Sequence, residues 1–121
     1  MSKSRRQRLP SKGLWIGLAK VGQMSRTGVL GNADRAYTNA IGKADSRASF
    51  RKNVKQELAT LGLSLIRLEN AERLPERLSK YAIDKELEKL TKSVAQTGRV
   101  GFGTFHAFDV TESQVIPGTS K

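Results

Sequence analysis

The chain has 121 residues, and its 22 Lys and Arg against 11 Asp and Glu give a formal net charge of +11 at pH 7. A chain of this length is typical of a single domain. It has no Cys and one His, which excludes disulfides, Cys-ligated zinc, thiol catalysis and any site built from several His of one chain. No run approaches the roughly 18 apolar residues that a membrane-spanning helix needs.

The positive charge is concentrated in the first half of the chain. Residues 1–60 contain 13 Lys or Arg and three Asp or Glu, a net charge of +10, whereas residues 61–121 contain nine and eight, a net charge of +1. Concentrated positive charge attracts polyanions, of which nucleic acid is the commonest. An acidic protein is the alternative partner for such a surface.

A basic tail leads into a short apolar segment. Leu14, Leu18 and Val21 recur at i, i+4 and i+7, which predicts a helix over residues 14–21. Glycines at 13, 17 and 22 weaken that helix, so we expect the segment to become ordered by docking on its own domain or on a partner. The residues predicted to dock on a partner are Leu14, Trp15 and Leu18.

The N-terminus carries two patterns that are typical of targeting signals. Residues 4–9 resemble the start of a twin-arginine export signal, but the apolar stretch that follows is short and is interrupted by Lys20. The absence of acidic residues before Asp34 is typical of a mitochondrial presequence. The sequence favours a cytoplasmic protein, with the mitochondrial and exported locations as alternatives.

A second short helix is predicted over residues 34–44, where Ala36, Ala40 and Ile41 share one side. This helix completes a basic, Gly-rich N-terminal segment, residues 1–44, which we expect to be partly disordered or docked on a partner. A small domain is predicted over residues 45–113, followed by a flexible tail over residues 114–121.

The clearest helix begins after Ser46, a good N-cap, and ends at Gly62. Phe50, Val54, Leu58 and Leu61 form its apolar stripe. A short apolar run over residues 63–68 then predicts a strand, with continued helix as the alternative. Pro75 marks a turn or the start of a helix.

A second firm helix is predicted over residues 80–96, ending at Gly98. Its acidic residues Asp84, Glu86 and Glu88 point in different directions, so we interpret them as a solvated face and predict no metal site. Residues 99–110 predict one strand, on which Phe102, His106 and Phe108 alternate onto one side. Exposed Phe there would stack on bases, although core packing is the favoured interpretation.

The order helix, strand, helix, strand predicts a small α+β domain with two main helices and a short β-sheet. Two short strands do not make a stable sheet. Either a third strand is hidden near residue 69 or in residues 110–116, or another chain completes the sheet.

The favoured function is that of a non-enzymatic accessory protein that binds DNA or RNA through phosphate contacts. The residues predicted to make these contacts lie in the basic tail and on the first firm helix: Arg5, Arg6, Arg8, Lys12, Arg47, Arg51, Lys52 and Lys55. The alternative is a protein-interaction module, such as a subunit, inhibitor or immunity-type protein, that docks on an acidic protein. No cofactor, membrane or small-molecule ligand is implied.

An enzyme is the third hypothesis, and it is not favoured. His106 with Asp109 or Glu112 is the only conceivable catalytic core. No Ser–acid arrangement at motif spacing accompanies this His, so we interpret His106 as a packed sheet residue.

Overall fold

Strand β1, Leu14–Gln23, lies in the middle of a five-stranded sheet in the computed structural model, which describes residues 12–23, 30–31 and 33–108. It pairs antiparallel with β2 on one side and with β3 on the other. The remaining elements follow in chain order: β2 Arg35–Lys43, α1 Arg47–Ala59, β3 Leu63–Arg73, α2 Leu74–Lys80, α3 Lys85–Thr97, β4 Gly101–Phe102 and β5 His106–Phe108. Strands β4 and β5 both pair with β2.

The helix predicted over residues 14–21 is wrong, because this segment is strand β1. Leu14, Trp15 and Ile16 are consecutive and all buried, which a strand covered on both faces allows. Gly17 allows close packing of β3, since a Cβ there would lie 3.0 Å from Cδ1 of Leu68. The spacing of Leu14, Leu18 and Val21 fits a helix, but the consecutive buried residues at the start of the segment are typical of a strand that is covered on both faces.

The helix predicted over residues 34–44 is also wrong, because Arg35–Lys43 form β2. Ala36, Thr38 and Ala40 are fully buried, and the residues between them are half-buried. This is the two-residue period of a strand. Residues 14–23 and 35–43, assigned from the sequence to the basic, Gly-rich N-terminal segment, therefore supply the two middle strands of the sheet.

The side chain of Gln23 holds the connection between β1 and β2. Its Oε1 accepts a 2.6 Å hydrogen bond from the Leu30 backbone N–H, and its Nε2 donates to the carbonyl oxygens of Gly31 and Ala33. The Gln23 backbone N–H donates to the Asp34 carbonyl. These bonds satisfy backbone groups of the described residues between Leu30 and Asp34, just before β2 begins.

The helix predicted after Ser46 and the strand predicted over residues 63–68 are confirmed. The Ser46 hydroxyl accepts a hydrogen bond from the Ser49 N–H, and Phe50, Val54 and Leu58 are the buried residues of α1. Leu61, predicted as the fourth residue of this stripe, lies beyond the end of the helix and is exposed. Strand β3 continues five residues beyond the predicted end, to Arg73.

The helix predicted over residues 80–96 is confirmed in its second part only. Pro75 lies in the first turn of a separate short helix, α2. Helix α3 starts at Lys85, where the Asp84 carboxylate caps it by accepting from the Leu87 N–H at 2.9 Å. Asp84 is therefore a helix cap and not a residue of the helix face.

Helices cover the two faces of the sheet unequally. Helix α1 packs on the first face, where Trp15, Ala40 and Phe50 belong to one apolar cluster. Helices α2 and α3 pack on the second face, where Ile16, Ile41 and Val94 belong to another. The second cluster lies at the end of the sheet where β1 begins. The fold is a small α+β domain, as predicted, and the described residues form three helices where the sequence predicted two main ones.

The single strand predicted over residues 99–110 is interrupted. Phe102 pairs with Ala40 and His106 pairs with Tyr37, so four steps along this segment match three steps along β2. The extra residue is a bulge within residues 103–105, and it reverses the alternation of side chains. Phe102 therefore packs against the α1 side, whereas His106 and Phe108 lie on the second face.

None of the helices among the described residues is long and apolar enough to span a bilayer.

Glu72 links β3 to α2 through ion pairs with Lys80, at 2.8 Å, and with Arg77. The hydrogen bond from Lys80 and then the one from Arg77 lower the pKa of Glu72. A carboxylate whose pKa falls on folding stabilises the folded state above its unfolded pKa, and this contribution is lost as the pH falls through the lowered value.

We expect Glu72→Gln to lower the free energy of unfolding at pH 7 by no more than about 1 kcal/mol, because solvent screens much of the pairing. The loss shrinks as the pH falls below about 4.3, the unfolded pKa of Glu, since the parent protein then loses the same charge. Urea unfolding between pH 7 and pH 3 measures both quantities. Glu76→Gln is the control, since Glu76 has no ion pair among the described residues. If the free energies of unfolding of the parent and of Glu72→Gln differed by the same amount from pH 7 to pH 3, the stabilising role of the Glu72 ion pairs would be contradicted.

Gly101 sits under α3 with no room for a side chain. A Cβ there would lie 2.6 Å from Cδ1 of Leu90 and 3.0 Å from Cγ2 of Val94. We expect Gly101→Ala to destabilise the protein by about 1–3 kcal/mol in urea unfolding, because α3 must shift. Gly103→Ala is the control, since its Cβ would meet nothing closer than 3.4 Å. Equal stability of the two variants would contradict this packing.

Candidate functional site

The four cations predicted on the first firm helix lie on the outer side of α1. Arg47, Arg51, Lys52 and Lys55 are all exposed. None of them forms an ion pair with an acidic residue of the described chain, and the first turn of α1 contains no acidic residue. We call these four residues the basic α1 surface.

Arg73 adds a fifth cation on the same face of the sheet. It pairs in register with Trp15, and its guanidinium lies 5.5 Å from the centroid of the indole ring. Trp15 in turn stacks on Phe50 of α1. The basic tail residues Arg5, Arg6 and Arg8 lie outside the described residues, and Lys12 is exposed just before β1.

The three residues predicted to dock on a partner lie within strand β1. Leu14 and Trp15 are only 1% and 8% exposed, and each belongs to one of the two apolar clusters. The Trp15 Nε1–H donates to the Ala44 carbonyl at 3.1 Å. Their apolar surface is thus used inside the domain, while Leu18 is half-buried on the second face.

The second face of the sheet has an uncovered half, beyond the contacts of α2 and α3. Within the described residues no helix packs there, and its side chains are half-buried or exposed. They come from four adjacent strands, in the order β5, β2, β1 and β3. We call this group the open patch; its main residues are Leu18, Lys20, Arg35, Tyr37, Ser64, Ile66, Arg67, His106 and Phe108.

Two aromatic rings lie on the β5 and β2 side of the open patch. Tyr37 and Phe108 stack with centroids 5.6 Å apart and ring planes 22° apart. The Lys20 Nζ lies 6.0 Å from the Tyr37 centroid. Such a group combines flat apolar surface with positive charge.

Arg67 and Arg35 flank these rings. The hydrogen bond from Arg67 to Glu69, at 2.6 Å, raises the pKa of Arg67, and an interaction with the Tyr37 hydroxyl acts in the same direction. Arg35 reaches across Gly22, where a Cβ would come within 3.3 Å of its Nη1. The open patch thus contains three cations around its aromatic pair, and Glu69 offsets part of their charge.

Helix α3 fixes the bulge that brings Phe108 into the open patch. One oxygen of Glu86, Oε2, accepts from the Thr104 N–H at 2.7 Å and from the Thr104 hydroxyl at 2.6 Å. The Thr38 hydroxyl donates to the Gly103 carbonyl at 3.0 Å from the other side. The interrupted segment is therefore tied to both α3 and β2.

His106 lies on β5 and is exposed on the open patch, so its interpretation as a packed sheet residue is wrong. Its proposed acidic partners, Asp109 and Glu112, lie outside the described residues. Within the part of the chain that the structure describes, no group of three metal-ligating side chains occurs.

Sequence reasoning did not identify Lys20, Arg35, Tyr37 or Arg67 as site residues. The signal was available in part, since Arg35, Tyr37 and Asn39 alternate in the sequence as one face of a strand does. The helix prediction for residues 34–44 concealed it. The expectation that the Phe residues pack in the core holds for Phe102 but not for Phe108.

In comparisons with protein-family models, with curated proteins and with solved structures, no match to this chain was found. Function is therefore inferred from the chemistry of the site.

We expect Glu86→Ala to loosen the segment that carries Phe108. Thr104 would lose the acceptor of both its bonds, so stability should fall by about 1 kcal/mol and the amides of β5 should exchange faster. Hydrogen exchange followed by NMR measures this. Glu88→Ala is the control, because Glu88 also lies in the first turn of α3 but makes no side-chain hydrogen bond within the described chain. Identical exchange in the two variants would count against the anchoring role.

Proposed function

We propose that this protein is a non-enzymatic nucleic-acid-binding protein that contacts phosphates through the basic α1 surface and the basic N-terminal tail. The observation that carries this proposal is the group of four exposed α1 cations without an acidic partner among the described residues. Cations free of internal pairing are able to replace the counterions of a nucleic-acid backbone.

The arrangement of the charges supports the proposal. Arg47, Arg51 and Lys55 recur every fourth residue, so they form a stripe along α1 with steps of about 6 Å. Lys52 lies further around the helix. The acidic residue of this helix, Glu57, is paired with Arg99 at 2.6 Å, so it is engaged away from the stripe. The proposal retains the cytoplasmic location expected from the sequence.

The protein-interaction alternative has lost part of its support. It depended on Leu14, Trp15 and Leu18 as a docking stripe, and the first two are buried in the domain. An acidic protein would still be attracted by the cations of α1. The two functions differ in their response to short nucleic acids, which the following measurement addresses.

We expect the triple charge reversal Arg51→Glu, Lys52→Glu and Lys55→Glu to weaken binding to DNA and RNA of any sequence. The slope of log Kd against log salt concentration should become less steep by roughly two to three, about one for each lost phosphate contact. Fluorescence anisotropy with labelled 20-nucleotide single strands and duplexes, between 50 and 200 mM salt, measures this slope.

The matched control reverses three exposed lysines of α3, Lys85, Lys89 and Lys92, which changes the net charge equally. If α1 forms the phosphate-binding surface, the α3 variant keeps most of the parent slope. Equal loss in both variants would mean that net charge alone attracts the polymer. No binding by the parent protein at 50 mM salt would reject the proposed function.

A further inference from the structure

We infer that the open patch binds unpaired bases of single-stranded nucleic acid, with Tyr37 and Phe108 as the stacking platform. This inference rests on the proposed function and adds to it the class of nucleic acid that is bound. It concerns the face of the sheet opposite α1, so its residues are distinct from those of the basic α1 surface.

The aromatic pair is the first observation behind the inference. Tyr37 and Phe108 come from neighbouring strands and stack on each other, so they form one aromatic group on the open patch. Both side chains are half-buried, and no described helix covers them. Every base has a flat π-face, so stacking on such a platform tolerates any sequence.

The cations around the rings are the second observation. Lys20 of β1 pairs in register with Tyr37 on one side and with Arg67 of β3 on the other, and Arg35 pairs in register with Phe108. Their positions suit the phosphates that flank a stacked base, and arginine guanidinium groups also stack on bases. Charge complementarity therefore selects a polyanion, and the aromatic pair selects one that carries rings.

The shape of the open patch favours single strands over duplexes. Side chains of four adjacent antiparallel strands form a broad surface roughly 14 Å across. In a duplex, the faces of the bases are stacked on one another and only their edges are accessible in the grooves. A single strand can splay its bases onto the rings, which is how open sheets of other proteins bind RNA.

The test compares the parent chain with Tyr37→Ala and Phe108→Ala. Binding is measured with labelled ten-nucleotide oligo-U and oligo-dT and with a ten-base-pair duplex, at one salt concentration. We expect each variant to bind both single strands about tenfold or more weakly, because stacking of one base is lost. Duplex binding should change less than twofold. The oligo-U and oligo-dT arms distinguish RNA from DNA as the preferred single strand.

Tyr81→Ala is the matched control, since Tyr81 is 62% exposed at the end of α2 and lies outside the open patch. It should bind like the parent. Tyr37→Phe preserves the ring and should retain most of the single-strand affinity. Poly-glutamate supplies negative charge without rings, so it should compete poorly with oligo-U.

A second measurement does not depend on the folding of a variant. In an NMR titration of the parent chain with oligo-U, the largest amide shifts should fall on β1, β2, β3 and β5 around the open patch. Shifts confined to α1 would overturn the inference, as would unchanged single-strand affinity of both alanine variants or full competition by poly-glutamate. In each of these cases binding itself persists and the proposed function stands, whereas a parent chain that binds no nucleic acid rejects both.

Discussion

The fold depends on covering both faces of the first half of β1. Leu14, Trp15 and Ile16 are consecutive, apolar and almost fully buried, so neighbouring residues point to opposite sides and each side needs its own cover. Helix α1 covers Trp15, and helices α2 and α3 cover Leu14 and Ile16. Burial of these side chains contributes about 1.5–3 kcal/mol each for the larger ones, which makes this strand the centre of stability. The second half of β1 carries Lys20 on the second face, where no apolar side chain needs the cover of a helix. The open patch lies at this uncovered place.

The sequence was informative where one local signal dominated. Helix α1 is defined by its cap at Ser46 and by the stripe of Phe50, Val54 and Leu58, and the end of α3 is defined by the glycine that follows it. These signals need no information from the rest of the chain. The sequence was misleading for β1 and β2, because their burial arises from tertiary partners on both sides. A short apolar run fits either a strand or a helix, and only the pairing of β1 with β2 and β3 decides between them.

The basic α1 surface and the open patch also differed in how far the sequence alone could predict them. The basic α1 surface follows from the helical spacing of its cations, which is written in the sequence. The open patch depends on which residues of four strands lie side by side, and this register is not local information. Its position also depends on the bulge within residues 103–105, which the spacing of residues in the sequence did not predict. Thus the surface assembled within one helix was predictable, and the surface assembled across the sheet was not.

The bulge has a consequence for how this chain tolerates changes in length. Removing one residue between Phe102 and His106 would leave every side chain of the open patch in the sequence, yet it would equalise the count against β2. His106 would then still oppose Tyr37, because three steps would separate it from Phe102, as three steps separate Tyr37 from Ala40. His106 and Phe108 would keep their places on the second face without a bulge. The pairing with β2 decides which side chains of β5 face outward, so a single-codon deletion within residues 103–105 removes the bulge and spares the surface.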